Sequence, residues 1–339
     1  MVLRAITSND IAAAAGVSQP TVSIVLNNRG DEFGIRAETQ QRIIDTAKKL
    51  KYVRNPLASG LRGGRTSAIG MLWPLQSSMK DMAREMALRL MKSNYAAYMA
   101  DNLSDVTVMS RAIADFSRRG VDAIIVQGQH SIFSSPKIAE LIAGLSISIL
   151  LVSSDPTDAP VDTIHHDRLP AFRAAADHLV STGRKRTVFV TPVKSNQQKV
   201  NAFSNQLLER GLSAKDQIVL DLKNCPHSYP ADAAQAIEEL IARKTPFDAV
   251  MCTSDAAAAA VLRTLQTNGL KVPEDVAVIG ANNSEYAPYL LPPLASIDHN
   301  SVRLADLMEE MLWSRLKDPQ LPRRTAEVKM QFVWRESAG

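Results

Sequence analysis

The stretch Gly16-Val17-Ser18-Gln19-Pro20-Thr21-Val22-Ser23-Ile24-Val25-Leu26-Asn27 narrows what the start of this chain can fold into. Gly16 allows a left-handed turn, Ser18 can cap the helix that follows, and Pro20 lies in the first turn, where its missing N–H leaves no carbonyl unpaired. Val22, Val25 and Leu26 face inward at helical spacing, leaving Gln19, Pro20, Thr21, Ser23, Ile24 and Asn27 on the outer side. Those outer residues are mostly short, and several are polar. A helix of that kind can sit deep in a major groove, whereas a merely solvated face would carry more Glu and Lys.

The neighbouring segments complete a small domain. Thr7 through Ala15 is predicted as a preceding helix, with Thr7 as its cap, Asp10 three residues on, and Ile11, Ala12 and Ala15 inside. A third helix is predicted from Ala37 to Leu50, with Ile43, Ala47 and Leu50 closing a three-helix core. The plainer alternative is a helical bundle that only docks on protein. Charge favours nucleic acid: the first 65 residues hold ten Lys/Arg against five Asp/Glu, out of totals of 39 and 35, leaving 29 against 30 for the rest. The net +4 therefore belongs to the N-terminal segment, as suits a polyanion bound at one end.

Asn55 as cap, Pro56 at a first helical position and Gly63-Gly64 as a stop predict a short helix over residues 55–65. Gly60 costs it about 1 kcal/mol, and two turns are marginal alone. Leu57 and Leu61 share a face, with Ala58 beside them. Two uses stand open: folding against a partner copy with a leucine in the minor groove, or a linker whose leucines rest on the head.

These residues bring the chain close to a known family. Asn9-Asp10-Ile11-Ala12 through Ser23, Val25-Leu26-Asn27, Tyr52-Val53-Arg54-Asn55-Pro56, Gly269 through Gly280, Pro292-Pro293-Leu294 and Arg335-Glu336-Ser337 resemble, in order, the LacI/GalR bacterial transcription regulators. The resemblance implies that Gln19, Pro20, Thr21, Ser23 and Asn27 meet operator DNA, with Thr7 and Ser18 at the helix starts, Tyr52 and Asn55 on the backbone, and Leu61 with Ala58 in the minor groove. Ile24 departs from the arginine common in the family, so an apolar contact to a thymine methyl and an altered operator preference are expected. The loop after Asn27 is longer than usual.

Beyond Thr66, short apolar runs alternate with amphipathic helices, the pattern of parallel α/β sheets. Strands are predicted at Ala68–Leu72, Ala96–Ala100, Ala123–Gln127, Ile147–Val152, Thr187–Val190, Ile218–Leu222, Ala249–Cys252 and Val276–Ile279. Helices are predicted between them, among them Ala202–Arg210 and Ala256–Asn268. Two sheets fit better than one. The fold class is thus α/β: a helix-turn-helix head (1–54), a hinge (55–65), and a core that the resemblance implies is similar to two-lobed type I periplasmic binding proteins. Its lobes are expected over 66–161 with 298–325, and 162–291 with 326–339. Glu327–Trp334 is expected to be one closing strand.

No nucleophile elbow, phosphate-cradling glycine loop or histidine pair at metal spacing is present, so no enzyme and no cofactor are expected. His165-His166 reads as a strand edge plus a surface residue, and Asp255 as the cap of the alanine-rich helix behind it. Two distant cysteines, Cys225 and Cys252, build no disulfide framework or metal site. With no basic-then-apolar leader and no long apolar run, a cytoplasmic protein, nucleoid-associated when on DNA, is expected, without membrane contact.

The resemblance implies a small-molecule effector held by Gln76, Ser77, Gln127, Asp167, Lys199, Asp255 and Asn282, with Tyr229 offering a stacking face. Lys199 replaces a common arginine and Asn282 a common aspartate, which makes the pocket one unit more positive than a plain sugar site. An anionic effector and a drifted sugar pocket both stand open. The expected assembly is a homodimer on a palindromic operator, without a tetramerising tail; the rivals are control by a protein corepressor and an enzyme fused to a DNA-binding head.

Overall fold

The computed structural model describes residues 6–26, 28–52, 65–74, 80–101, 105–128, 135–145, 147–222 and 229–339, with the backbone alone at 80, 81 and 193–196. It divides into two compact units, Met1–Thr66 and Ser67–Gly339.

In the first unit, α1 (Ser8–Ala15), α2 (Gln19–Leu26) and α3 (Ala37–Lys49) close on a core of Ile11, Ala12, Ala15, Val22, Val25, Ile43 and Ala47. A reciprocal cap starts α1: the Thr7 hydroxyl accepts from the Asp10 N–H, and the Asp10 carboxylate accepts from the Thr7 N–H at 2.7 Å. Gly16 ends it at φ +64°, and its N–H donates to the Ala12 carbonyl. Replacing Thr7 with alanine should destabilise the head by about 1 kcal/mol, read as an earlier loss of helical signal on heating. The longer loop is ordered around Gln40, whose amide donates to Asp31 and to the Ile35 carbonyl, both at 2.8 Å.

The second unit holds two six-stranded sheets of like design. The strands are β1 (Ala68–Trp73), β2 (Ala96–Asp101), β3 (Ala123–Gly128), β4 (Ser148–Ser153), β5 (Asp162–Asp167), β6 (Thr187–Thr191), β7 (Gln217–Asp221), β8 (Ala249–Cys252), β9 (Ala277–Ala281), β10 (Ala295–Asp298), β11 (Thr325–Lys329) and β12 (Gln331–Val333). The first sheet runs β11-β5-β4-β3-β1-β2, all parallel; the second runs β12-β10-β9-β8-β6-β7, parallel apart from the β10–β12 pair. β1 (Ala68–Trp73) and β3 (Ala123–Gly128) are buried at every position because helices cover both faces, which is why they read as unbroken apolar runs. Among the described residues, no helix is long and apolar enough to cross a membrane.

The chain passes between the sheets three times, and this corrects the expected boundaries. β5 (Asp162–Asp167) pairs with β4 (Ser148–Ser153) and β11 (Thr325–Lys329), so the first lobe's sheet runs past Val161 to Asp167. β10 (Ala295–Asp298) belongs to the second sheet, beyond the expected break at Leu291, and the helix Ser301–Lys317 after it packs into the first lobe's core. The closing stretch is two strands rather than one: β11 lies in the first sheet and β12 (Gln331–Val333) in the second. Met330 makes the step between them; its N–H donates to the Asp167 carbonyl at 2.8 Å and its side chain is buried in the second lobe. Each passage leaves from the C-terminal end of a parallel strand, the edge where open α/β sheets hold ligands.

Candidate DNA-binding face and ligand cleft

The head presents α2 as sequence periodicity requires. Val22 and Val25 are buried, Ser18 and Pro20 are exposed, and Gln19, Thr21, Ser23 and Ile24 are half-buried. Ser18 acts as the cap: its hydroxyl accepts from the Thr21 N–H and lies 2.8 Å from the Thr21 hydroxyl. Gln19 donates to the Ser8 hydroxyl at 3.1 Å, which ties the start of α2 to α1. Tyr52 rests half-buried on the head core, with its N–H on the Ala47 carbonyl at 2.9 Å. Arg36, Arg42, Lys48, Lys49 and Lys51 are exposed, leaving their positive charge available to a phosphate backbone, while Arg29 is paired with Glu32 at 2.6 Å. Asn27, Asn55, Ala58 and Leu61 lie outside the described residues.

In the second unit, the C-terminal strand ends gather a polar cluster that only partly matches the expected ligand set. Lys199 and Asn282 belong to it; Gln127 is buried at the end of β3, and Gln76 and Ser77 lie outside the described residues. Asp167 stands apart. Its carboxylate accepts from the Leu169 N–H at 3.0 Å and lines a groove with Arg173 and Asp177 on the helix Leu169–Ser181, opposite His166 across the strand.

Asp255 is neither cap nor exposed ligand. Ser254 caps the helix Asp255–Thr267, accepting from the Ala257 N–H. The Asp255 carboxylate is fully buried, accepting from the Ser284 N–H at 2.6 Å and the Ser296 hydroxyl at 2.7 Å. Burial pushes its pKa up, against the pull of those donors. Gly280 gives the carboxylate room, since a Cβ there would lie 2.2 Å from its Oδ1. Asp255 thus fixes the loop after β9 (Ala277–Ala281), which carries Asn282. Tyr229 also has a structural use: its hydroxyl donates to the Val190 carbonyl at 3.3 Å and lies 2.6 Å from the Thr253 hydroxyl.

The histidine doublet is not at the surface. His165 lies 3.4 Å from Glu327 on β11, and His166 is only 7% exposed. The His166 ring meets that of His299, which follows β10, edge to face at 5.0 Å. His299 Nε2 donates to the Asn282 Oδ1 at 2.9 Å. Burial lowers the His166 pKa to about 4 and puts that of His299 well below the ordinary range, with Lys199 and Arg168 adding to both effects. The Lys199 ammonium is lowered to about 8, first by desolvation and then by Arg168, while Asp155 opposes. Asp155 links the lobes. It follows β4, accepts from Arg168 at 2.6 Å and, with the amide nitrogen of Gln198 turned toward it, from the second lobe's helix Val193–Glu209 at 2.9 and 2.8 Å.

His166, His299, Arg168, Asp155 and Gln198 are not legible in the sequence as a group because four separate segments supply them. Position at strand ends was the available signal.

Comparison with known proteins settles the family. Residues 7–55 match the model for bacterial regulatory proteins of the lacI family, and residues 176–338 match a periplasmic binding protein-like domain. The chain belongs to the LacI family. It is 25% identical over 337 residues to the HTH-type transcriptional repressor PurR of Aliivibrio salmonicida, covering 98% of both chains. It is 24% identical to the ribose operon repressor of Haemophilus influenzae, again over 98% of both. In fold it is similar to a lac repressor dimer bound to operator and an anti-inducer, with a TM-score of 0.85, 20% identity and 99% of both chains covered. This LacI-family chain is a DNA-binding transcriptional repressor with a ligand-binding second domain, and the relatives it matches are repressors rather than enzymes.

Proposed function

We propose that this repressor binds a palindromic operator as a homodimer in the cytoplasm and that an anionic small molecule in the cleft between its lobes sets its DNA affinity. The observation that carries the effector reading is the cluster at the lobe crossings. Lys199 and Arg168 supply positive charge there, while Asp255, the expected counter-charge, is sealed into the second lobe. Lys199 makes no hydrogen bond or ion pair among the described residues, and Asp155, the acid that acts on it, is already held by Arg168 and Gln198.

Linkage follows. A ligand that closes the lobes differently from their resting state shifts the DNA-competent population, and DNA shifts ligand affinity by the same factor. Operator binding titrated with and without a candidate effector tests this reading; an unchanged operator affinity at saturating ligand contradicts it.

Charge state gives a sharper check. A lysine whose pKa is lowered to about 8 is ammonium below that pH and loses its proton above it. Anion affinity should hold below pH 8 and fall about tenfold per pH unit above it, measured by calorimetry from pH 6.5 to 9.5. A flat profile would remove Lys199 from the site.

A further inference from the structure

We propose that the effector joins an acid group to at least two hydroxyl groups, and that His166 and His299 select the hydroxyls. This rests on the reading that the effector occupies the cleft.

The Ser153 backbone acts on the His166 ring as an acceptor, and the ring's Nε2 is buried without a partner. A neutral imidazole with its proton on Nδ1, toward that acceptor, presents Nε2 as a bare lone pair. His299 donates through Nε2 to the Asn282 Oδ1, and its buried Nδ1 has no partner. That nitrogen is likewise a bare lone pair. Two neutral imidazoles 5.0 Å apart therefore offer two acceptors, and the Asn282 Nδ2 beside them is a buried donor, also unpartnered. Buried polar atoms of this kind call for a complementary group.

The neighbours restrict what that group can be. Lys199 and Arg168 act on both rings, so an ammonium or a metal cation is repelled, and no three His, Cys, Asp or Glu among the described residues are placed to hold a metal. The donors must therefore be neutral. Hydroxyls fit best because each donates to one imidazole while its oxygen can accept from Asn282 or a neighbour. The acid group then lies toward Lys199, since Arg168 is already committed to Asp155 and the Ser154 carbonyl. A hydroxylated carboxylic acid and a sugar phosphate share this chemistry.

Thermal melting and calorimetry of the full chain would use D-gluconate, D-glucose 6-phosphate, D-glucose, succinate and adenine. D-gluconate or D-glucose 6-phosphate should raise Tm by about 5 °C at a hundredfold excess over Kd, and whichever binds tells carboxylate from phosphate. D-glucose, lacking the acid, and succinate, lacking hydroxyls, should each bind at least about tenfold more weakly. His166→Phe keeps a flat ring but removes the lone pair. It should bring binding of the hydroxylated acid down to the succinate level; because it also removes the ring N–H facing the Ser153 backbone, the unliganded Tm is measured beside it to show that the variant is folded, and His299→Phe repeats the test at the second acceptor.

Succinate binding as tightly as the hydroxylated acids, or unaltered gluconate and phosphate affinity in both phenylalanine variants, would overturn the proposal. Adenine or glucose binding in their place, with a change in operator affinity, would overturn it and leave the cleft effector standing. No response to any compound, in Tm or in operator affinity, would overturn both.

Discussion

Replacing Asp162 with alanine should destabilise the second unit by about 3–5 kcal/mol, which lowers its melting temperature by about 10 °C. Its side chain is 2% exposed and faces Arg315, which donates to both carboxylate oxygens at 2.8 and 2.9 Å. The Arg324 N–H adds a third bond at 2.9 Å. Arg315 in turn holds the carbonyls of Pro319, Leu321 and Pro322, so this one pair fixes the turn after the helix Ser301–Lys317 to the start of β5. Removing the carboxylate leaves a largely buried guanidinium without its counter-charge. Burial opposes ionisation of Asp162, but the Arg315 and Arg324 bonds outweigh it and hold its pKa below the ordinary value. A depressed carboxylate stabilises the fold above its unfolded pKa and loses that contribution as pH falls through the folded one. The deficit of the alanine variant should thus be full at pH 7 and shrink below about pH 4. Denaturant melts at both pH values check this, and a loss under about 1 kcal/mol at pH 7 would mean the pair behaves as a surface ion pair.

The second large effect lies in the head. Ile11 is fully buried between the three helices, and Ile11→Ala should cost about 2–5 kcal/mol through lost burial and the cavity left behind. A domain this small has little stability in reserve. Specific DNA binding should fall by at least about a hundredfold, while the melting of the second unit stays unchanged. Operator affinity by anisotropy, beside calorimetric melting of the same sample, separates the two units; affinity within twofold of the parent chain would contradict this packing account.

The head was legible in the sequence because its signals are local. Cap, turn and apolar spacing all lie within a few residues of one another, and Thr7, Gly16 and Ser18 each do in the structure what their chemistry suggests. The apolar strands were legible for the same reason. β5 was legible only as a strand edge at His165-His166: Asp-Thr-Ile-His-His-Asp has no apolar run, and its burial comes from Asp162 meeting Arg315, His165 meeting Glu327 and His166 meeting His299, all distant in sequence. β10 has only four residues, too few to show a period. Asp255 misled because a carboxylate before an alanine run has the chemistry of a cap, and only the fold brings Ser284 and Ser296 to claim it. Lys199 and Asn282 were singled out from the family resemblance, but the histidines near them needed the third dimension.

Selection of duplexes from a randomised pool by the full chain, followed by sequencing, tests most directly whether α2 reads operator sequence. A two-fold symmetric consensus is expected, in which Ile24→Arg changes the preferred base at one position of each half-site toward guanine, because arginine can donate twice to guanine where isoleucine cannot. Enrichment of no sequence, or of an asymmetric one that Ile24→Arg and Gln19→Ala leave unaltered, would contradict it.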